Sequence, residues 1–495
     1  MKESSVNQSS MNTSSMDRAR ASELIAEVWC NEIVPELERY IAIPALSPAF
    51  DPGWADAGHI QAAVDQIVGW ILSRPIAGLS VVVQELPGLT PLIVVEVDAF
   101  GLTASPDRAP DGPDASTVVL YGHLDKQPEM TGWRDGLGPW TPVRDGDRLY
   151  GRGGADDGYA AFASLTAIEA VQVSGGSHSR CILLIEASEE SGSPDLPAHI
   201  DALAERLGEV GLVLCLDSGC ATYDTLWLTT SLRGLVGATV TVDVITEGIH
   251  SGSASGLVPS SFRLMRQLLD RIEEATTGQV LLTAANVEIP DYRASEAAAT
   301  AAVLGSGERY PTVAGLELMV DDPTDALLAR TWKPALSVTG ADGLPPTGKA
   351  GNVLRPSTSL KLSIRLPPTA DSETALAELQ SVLSADPPSG ATITITDPEA
   401  ATGWNAPDLD PWLADALEQA SQDGFGQPMQ LLGEGGTIPF MGMLGQKFPN
   451  AQFVITGVLG PESNAHGPNE FLDVAYAEKL TTCLAGVLSQ ECTRV

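Results

Sequence analysis

At 495 residues the chain is too long for one compact core, which predicts two domains of ordinary size. Its composition, 43% hydrophobic and 19% charged, is that of a soluble globular protein, and no window holds the ~20 consecutive apolar residues of a membrane span. Lys and Arg number 28 against 64 Asp and Glu, and the resulting charge of −36 argues against nucleic-acid and anionic-membrane partners.

In chain order, residues 1–16 are rich in Ser, Asn and Met and read as a disordered tail. They lack the apolar centre of a secretory leader, which points to the cytoplasm. Three apolar runs come next: Thr117 to Tyr121 (TVVLY), Cys181 to Ala187 (CILLIEA) and Gly211 to Leu216 (GLVLCL). Each is continuously apolar, as expected of strands covered on both faces. Helical patterns at 159–173 and 197–207 lie between them, so the first part reads as a mainly parallel sheet flanked by helices. From Ser231 to Asp397 the pattern becomes alternating, in GATVTVDVI (237–245), SLKLSIRL (359–366) and ATITIT (391–396), with helix candidates at 261–275 and 372–383. Residues 276–336 carry no pattern clear enough to assign. A last apolar run, QFVIT (452–456), and a helix near 474–488 return to the first style. The expected fold is α/β, with a catalytic domain from 17–230 and 398–495 and an inserted α+β domain from 231–397.

The six cysteines form no CxxC pair, and Cys181 and Cys215 lie inside apolar runs, so a metal site here would rest on nitrogen and oxygen ligands. The residues just beyond each buried strand are the informative ones. TVVLY runs into Gly122-His123-Leu124-Asp125, CILLIEA into Ser188-Glu189-Glu190, and GLVLCL into Asp217. Ligands of parallel sheets bind at the carboxyl ends of strands. Taken singly, a His-x-Asp pair is more often a surface pair and a Glu-Glu pair a solvated helix start. Together they put a histidine and carboxylates at one sheet edge, where buried charge is costly unless paired or metal-bound. Two loops join them: the glycine-rich Tyr150 to Gly158, with Asp156 and Asp157, and Asn464 to Glu470, with His466. Paired acids would repel a phosphate, whereas a carboxylate there could bridge two cations. Gly343 to Ala350 (GLPPTGKA) nearly spells a P-loop but lacks the final hydroxyl residue and a subsequent helix.

YGHLD, GRGGADDG, EASEESGS, CLDSG, GIHSG, EGGTIP and AHGPNE occur in the order seen in the dinuclear metallopeptidases. The chain resembles that family, which includes carnosinase, cytosolic non-specific dipeptidase, aminoacylase and succinyl-diaminopimelate desuccinylase, and its blocks point to the dipeptidase-like branch. The resemblance spans roughly residues 40–484. It implies a zinc-exopeptidase-like catalytic domain with an inserted lid and dimerisation domain. Asp156 would bridge two divalent cations, one completed by His123 and Asp217 and the other by Glu190 and His466. Asp125 would orient His123, Glu189 would be the general base, and His250 would reach the substrate of a partner subunit in a homodimer. Arg365 would hold a substrate carboxylate, with Thr437, Gly436 and Asn352 as further contacts. The sequence departs where the family has a lysine after the paired acids, since Gly158-Tyr159 stands there. It also carries one extra residue in Asn352 to Pro356 and has Gly138-Pro139-Trp140 for a more usual acid-Pro-Phe.

The expected reaction is hydrolysis of dipeptides or short peptides with a free C-terminal carboxylate, through a metal-activated water. The ions are taken as zinc, with manganese or cobalt as alternatives. The rival reading is an N-acyl-amino-acid amidohydrolase or desuccinylase on the same site. A non-catalytic scaffold is the rival from another class.

Overall fold

The computed structural model describes residues 16–101, 116–305 and 312–492. Apart from Met16, the tail expected at 1–16 lies outside the described residues. The chain divides into two compact units, one built from 1–227, 408–429 and 448–495 and the other from 228–407 and 430–447.

The first unit is organised by a six-stranded sheet in the order Leu79–Gln84, Leu92–Val97, Cys181–Glu186, Thr117–His123, Val210–Cys215 and Gln452–Ile455. The last four strands run parallel, and the first two form an antiparallel hairpin on one edge. The expected α/β class with a mainly parallel sheet is therefore present. Every residue of Thr117–His123 and Cys181–Glu186 is buried, which is why these runs are continuously apolar until their last residues. After the central strand Thr117–His123 the chain crosses to Cys181–Glu186 on one side, then to Val210–Cys215 on the other. The carboxyl ends of all three thus meet at a reversal of strand order, the usual crevice of open α/β sheets.

The helix Tyr159–Val173 is buried continuously from Tyr159 to Val171 and packs against Thr117–His123 and the helix Val474–Glu491. Its alanines at 160, 161, 163, 167 and 170 favour helix and let backbones approach closely. That closeness reaches the site. A Cβ on Gly122 would lie 2.5 Å from Ala160 Cβ and 2.6 Å from Asp157 Oδ2, so only glycine fits before His123.

The second unit holds a four-stranded antiparallel sheet in the order Ala335–Asp342, Ser357–Leu366, Gly234–Asp243 and Thr392–Ala401. Alternation puts Val236, Val240, Val242, Leu360, Leu362, Ile364 and Leu366 on one face, packed with residues of the helices Ser261–Leu269 and Ser372–Ser384. This unit is larger than the expected 231–397. The strand Thr392–Ala401 runs past 397. Trp404 and Asn405 then pair with Leu232 and Ser231, and Gln430–Glu434 joins the same three-stranded sheet. The second unit accordingly includes 430–447. Among the described residues no helix is long and apolar enough to cross a membrane.

Candidate metal centre

The first unit gathers His123, Asp125, Asp156, Glu189, Glu190, Asp217 and His466 at one sheet edge. Two triads could each hold an ion: His123, Asp156 and Asp217, and Asp156, Glu190 and His466. Within each, the ligand atoms lie within 4.8 Å of one another. Asp156 belongs to both. Its Oδ1 stands 3.4 Å from His123 Nε2 and its Oδ2 3.0 Å from His466 Nε2. Asp217 Oδ1 is 3.8 Å from His123 Nε2, and Glu190 Oε2 is 3.4 Å from His466 Nε2.

The fit to a cation is tested by His123. Its Nδ1 donates to the backbone carbonyl of Asp125 at 3.0 Å, which leaves Nε2 with a lone pair. That Nε2 is buried, has no hydrogen-bond partner, and faces two carboxylates. An orphaned imidazole nitrogen among acids is costly unless an electrophile sits between them. The all-nitrogen-and-oxygen donor set suits a divalent cation.

The local chain explains the geometry. Asp125 is fully buried and accepts the backbone N–H of Glu189 on Oδ1 at 3.1 Å and of Glu190 on Oδ2 at 3.0 Å. It therefore organises the acidic turn, and its backbone carbonyl, more than its carboxylate, fixes the ring of His123. Asp157 Oδ2 accepts the backbone N–H of His123 at 3.3 Å. Arg152 pairs with Glu470 and donates to Gly467 O at 2.9 Å, while Gly153 N donates to Glu470 Oε1 at 2.8 Å. These bonds tie the glycine-rich loop to the loop of His466. Within the latter loop Asn464, His466 and Asn469 all have positive φ, a conformation that side chains seldom adopt and that clusters at functional sites.

Charge crowding shifts the proton affinities of the cluster. Burial, then the charge of Asp217, pushes Glu189 well above the usual carboxyl range. Burial, together with Asp156, takes Glu190 up to about 8, and burial takes Asp217 up to about 6. Asp156 goes the other way: burial opposes it, but the neighbouring imidazoles of His123 and His466 hold it below the usual range. Burial likewise opposes protonation of His466, yet Asp156 lifts it to about 9. Acids that cling to protons around a shared carboxylate form a set that divalent cations would neutralise.

The second unit keeps two smaller groups of the expected residues. His250 pairs with Val353 in a short antiparallel ladder, and Ser251 N donates to Asn352 O at 2.9 Å, so His250 and Asn352 share one corner. Both are exposed. Arg365 Nη1 donates to Thr437 Oγ1 at 2.9 Å, and Thr437 Oγ1 donates to Arg233 O at 2.5 Å, with Gly436 next in the chain.

Several partners escaped the sequence. Gln127 Nε2 donates to Glu190 Oε2 at 2.6 Å, and nothing in its spacing announces this. Arg233 lies near Arg365. Glu186 carried a signal, since a carboxylate closing an otherwise apolar strand asks for buried partners. The departure at Gly158 has a steric reason: a Cβ there would strike the ring of Tyr40 and come within 2.6 Å of Gly153 O. Lys126 is buried as well, and its Nζ donates to Tyr40 O at 2.7 Å and Ile43 O at 2.8 Å.

Residues 119–490 match the model of peptidase family M20/M25/M40. The chain belongs to this family. A cysteinylglycine-S-conjugate dipeptidase of Corynebacterium striatum is 29% identical to this M20 chain over 389 residues, covering 76% of it and 81% of the relative. A β-Ala-His dipeptidase of Homo sapiens is 24% identical over 456 residues, covering 89% and 86%. The dipeptidase Dug1p of Saccharomyces cerevisiae aligns in structure with a TM-score of 0.73 at 20% identity, covering 97% of this chain and 99% of its own. At that identity the last likeness speaks for the fold. The M20 chain falls in the dipeptidase-like branch and is a metal-dependent hydrolase.

Proposed function

We propose that the chain hydrolyses the amide bond of dipeptides or short peptides with a free C-terminal carboxylate, at a two-metal centre with Glu189 as general base. The observation that carries the two-metal reading is Asp156, which offers one oxygen to the His123 side and the other to the His466 side. His123, Asp156 and Asp217 would hold one ion, and Asp156, Glu190 and His466 the other. Bound divalent cations supply Lewis acidity for the scissile carbonyl and bring the pKa of water toward ~7. Zinc suits the donor set, with manganese and cobalt as alternatives.

Glu189 is held through its backbone N–H, which leaves its carboxylate to act as a base. It takes the proton of the attacking water and returns it to the departing amine. His250 Nδ1 accepts from Gly252 N at 3.1 Å, which places the ring proton on Nε2. That nitrogen can then donate to a developing oxyanion, and we assign it to the substrate of a partner subunit in a homodimer. Arg365 binds the substrate carboxylate by paired hydrogen bonds, with Thr437, Gly436 and Asn352 as further contacts. The second unit serves as lid and dimerisation surface, and the enzyme works in the cytoplasm. The substrate class is that of the relatives, named for cysteinylglycine conjugates and β-Ala-His.

The test is a panel of dipeptides and N-acyl-amino acids offered to enzyme loaded with zinc or manganese. Dipeptides should be cleaved in preference to acylated amino acids; the reverse order would move the enzyme to the amidohydrolase reading. Glu189→Ala should abolish turnover with two ions still bound per chain, and substantial remaining activity would remove Glu189 as the base.

A further inference from the structure

Glu186 closes the strand Cys181–Glu186 and lies opposite His123 in the parallel ladder, yet it faces neither ion position. Its carboxyl is buried and collects three hydroxyl donors. Tyr121 Oη and Ser193 Oγ reach Oε1 at 2.6 and 2.8 Å, and Ser188 Oγ reaches Oε2 at 3.1 Å. Ser188 and Ser193 are the two ends of the turn that carries Glu189 and Glu190. Between them the turn closes on itself, with Ser191 N and Ser193 N donating to Ser188 O at 3.1 and 3.0 Å and Gly192 N to Glu189 O at 2.6 Å. Asp125 grips the same turn by the two backbone N–H groups in its middle. Two buried carboxyl groups therefore hold one six-residue turn, Asp125 at the centre and Glu186 at both ends.

We propose that Glu186 is a positioning residue for the reaction, which sets the direction of the Glu189 carboxylate by bracketing Ser188 and Ser193. Within the turn Ser191 Oγ also bonds Ser47 Oγ at 2.5 Å and accepts from Ala49 N at 2.9 Å, yet a turn held only at interior residues can still rock at its ends. Bonds at both ends remove the rocking and leave the Glu189 side chain to act from a fixed base. Small errors in the placement of a reacting group are expensive in rate, and buried partners of this kind typically govern 10–100-fold effects. The inference rests on Glu189 being the base.

The zinc-loaded enzyme and a cleaved dipeptide provide the test. Glu186→Ala should lower kcat by about 10–100-fold with KM within about twofold and metal content at two per chain. Glu186→Gln keeps an acceptor and the side-chain shape, and should recover most of kcat. The pair Ser188→Ala and Ser193→Ala should reproduce the loss with Glu186 in place, and it decides the matter if Glu186→Ala does not fold. A kcat near wild type in folded Glu186→Ala, or in the double serine variant, would overturn the inference. So would a loss carried by KM or by missing metal. Glu189→Ala measured alongside separates the two ideas: if it stays active the base is wrong, whereas if it is dead and the Glu186 and serine variants are normal, positioning alone fails.

Discussion

The guanidinium of Arg152 and the carboxylate of Glu470 form an ion pair with both side chains sealed from water. The pair joins the loop bearing Asp156 to the loop bearing His466, together with bonds from Arg152 to Gly467 O and from Gly153 N to Glu470. Removing one partner of a buried pair leaves an uncompensated charge and typically costs about 3–5 kcal/mol, whereas replacing both by apolar groups is often neutral. Arg152→Met should lose stability on that order in chemical denaturation, and adding Glu470→Met should restore much of it. A single variant as stable as wild type would show that the pair does not hold the loops.

The shared position of Asp156 separates it from every other ligand. Metal analysis after dialysis should find two zinc ions per chain in wild type, about one in His466→Ala, and less than one in Asp156→Ala. Equal losses in the two variants would argue that the triads do not share this carboxylate.

Glu186 also sets a pH dependence. Burial, then the charge of Asp125, raises its carboxyl from 4.5 to about 7. The folded protein thus keeps a proton that the unfolded chain releases between those values. Stability from this group is highest below pH 4.5, falls as pH rises to 7 and is level beyond. The total is on the order of 3 kcal/mol. Subtracting the unfolding free energies of Glu186→Gln from those of wild type across pH should reveal that decline, because the metal cluster titrates in both and cancels. Parallel curves would mean that Glu186 is not perturbed.

If His250 serves a partner's substrate, His250→Ala should lower kcat by about 10²–10³-fold. Mixing it with Glu189→Ala under conditions of subunit exchange should then return part of the activity. Light scattering that finds only monomer at assay concentration, or mixtures that stay inactive, would count against action across a dimer.

The buried strands were legible because each runs apolar to its end and then delivers a charged residue. The same logic brought out His123, Glu190 and Asp217, while Asp156 and His466 came from two motif loops, and the structure collects all five. The stretch 276–336 was not legible. Its helix Asp291–Leu304 is rich in alanine without a strong apolar stripe, and the strand Ala335–Asp342 sits at a sheet edge with neither face fully buried, so no alternation marks it. The inclusion of Gln430–Glu434 in the sheet of Trp404 and Asn405 rests on backbone pairing, which side-chain patterning does not report. Gln127 and Arg233 were missed for a related reason: their meaning lies in partners far away in sequence.

His123 lies at the bottom of the cluster, out of reach of water, whereas the side chain of His466 remains more than half exposed. Two ions bound through the same Asp156 would therefore live on different clocks. The one on the His466 side would trade with the surrounding solution while its neighbour stays put.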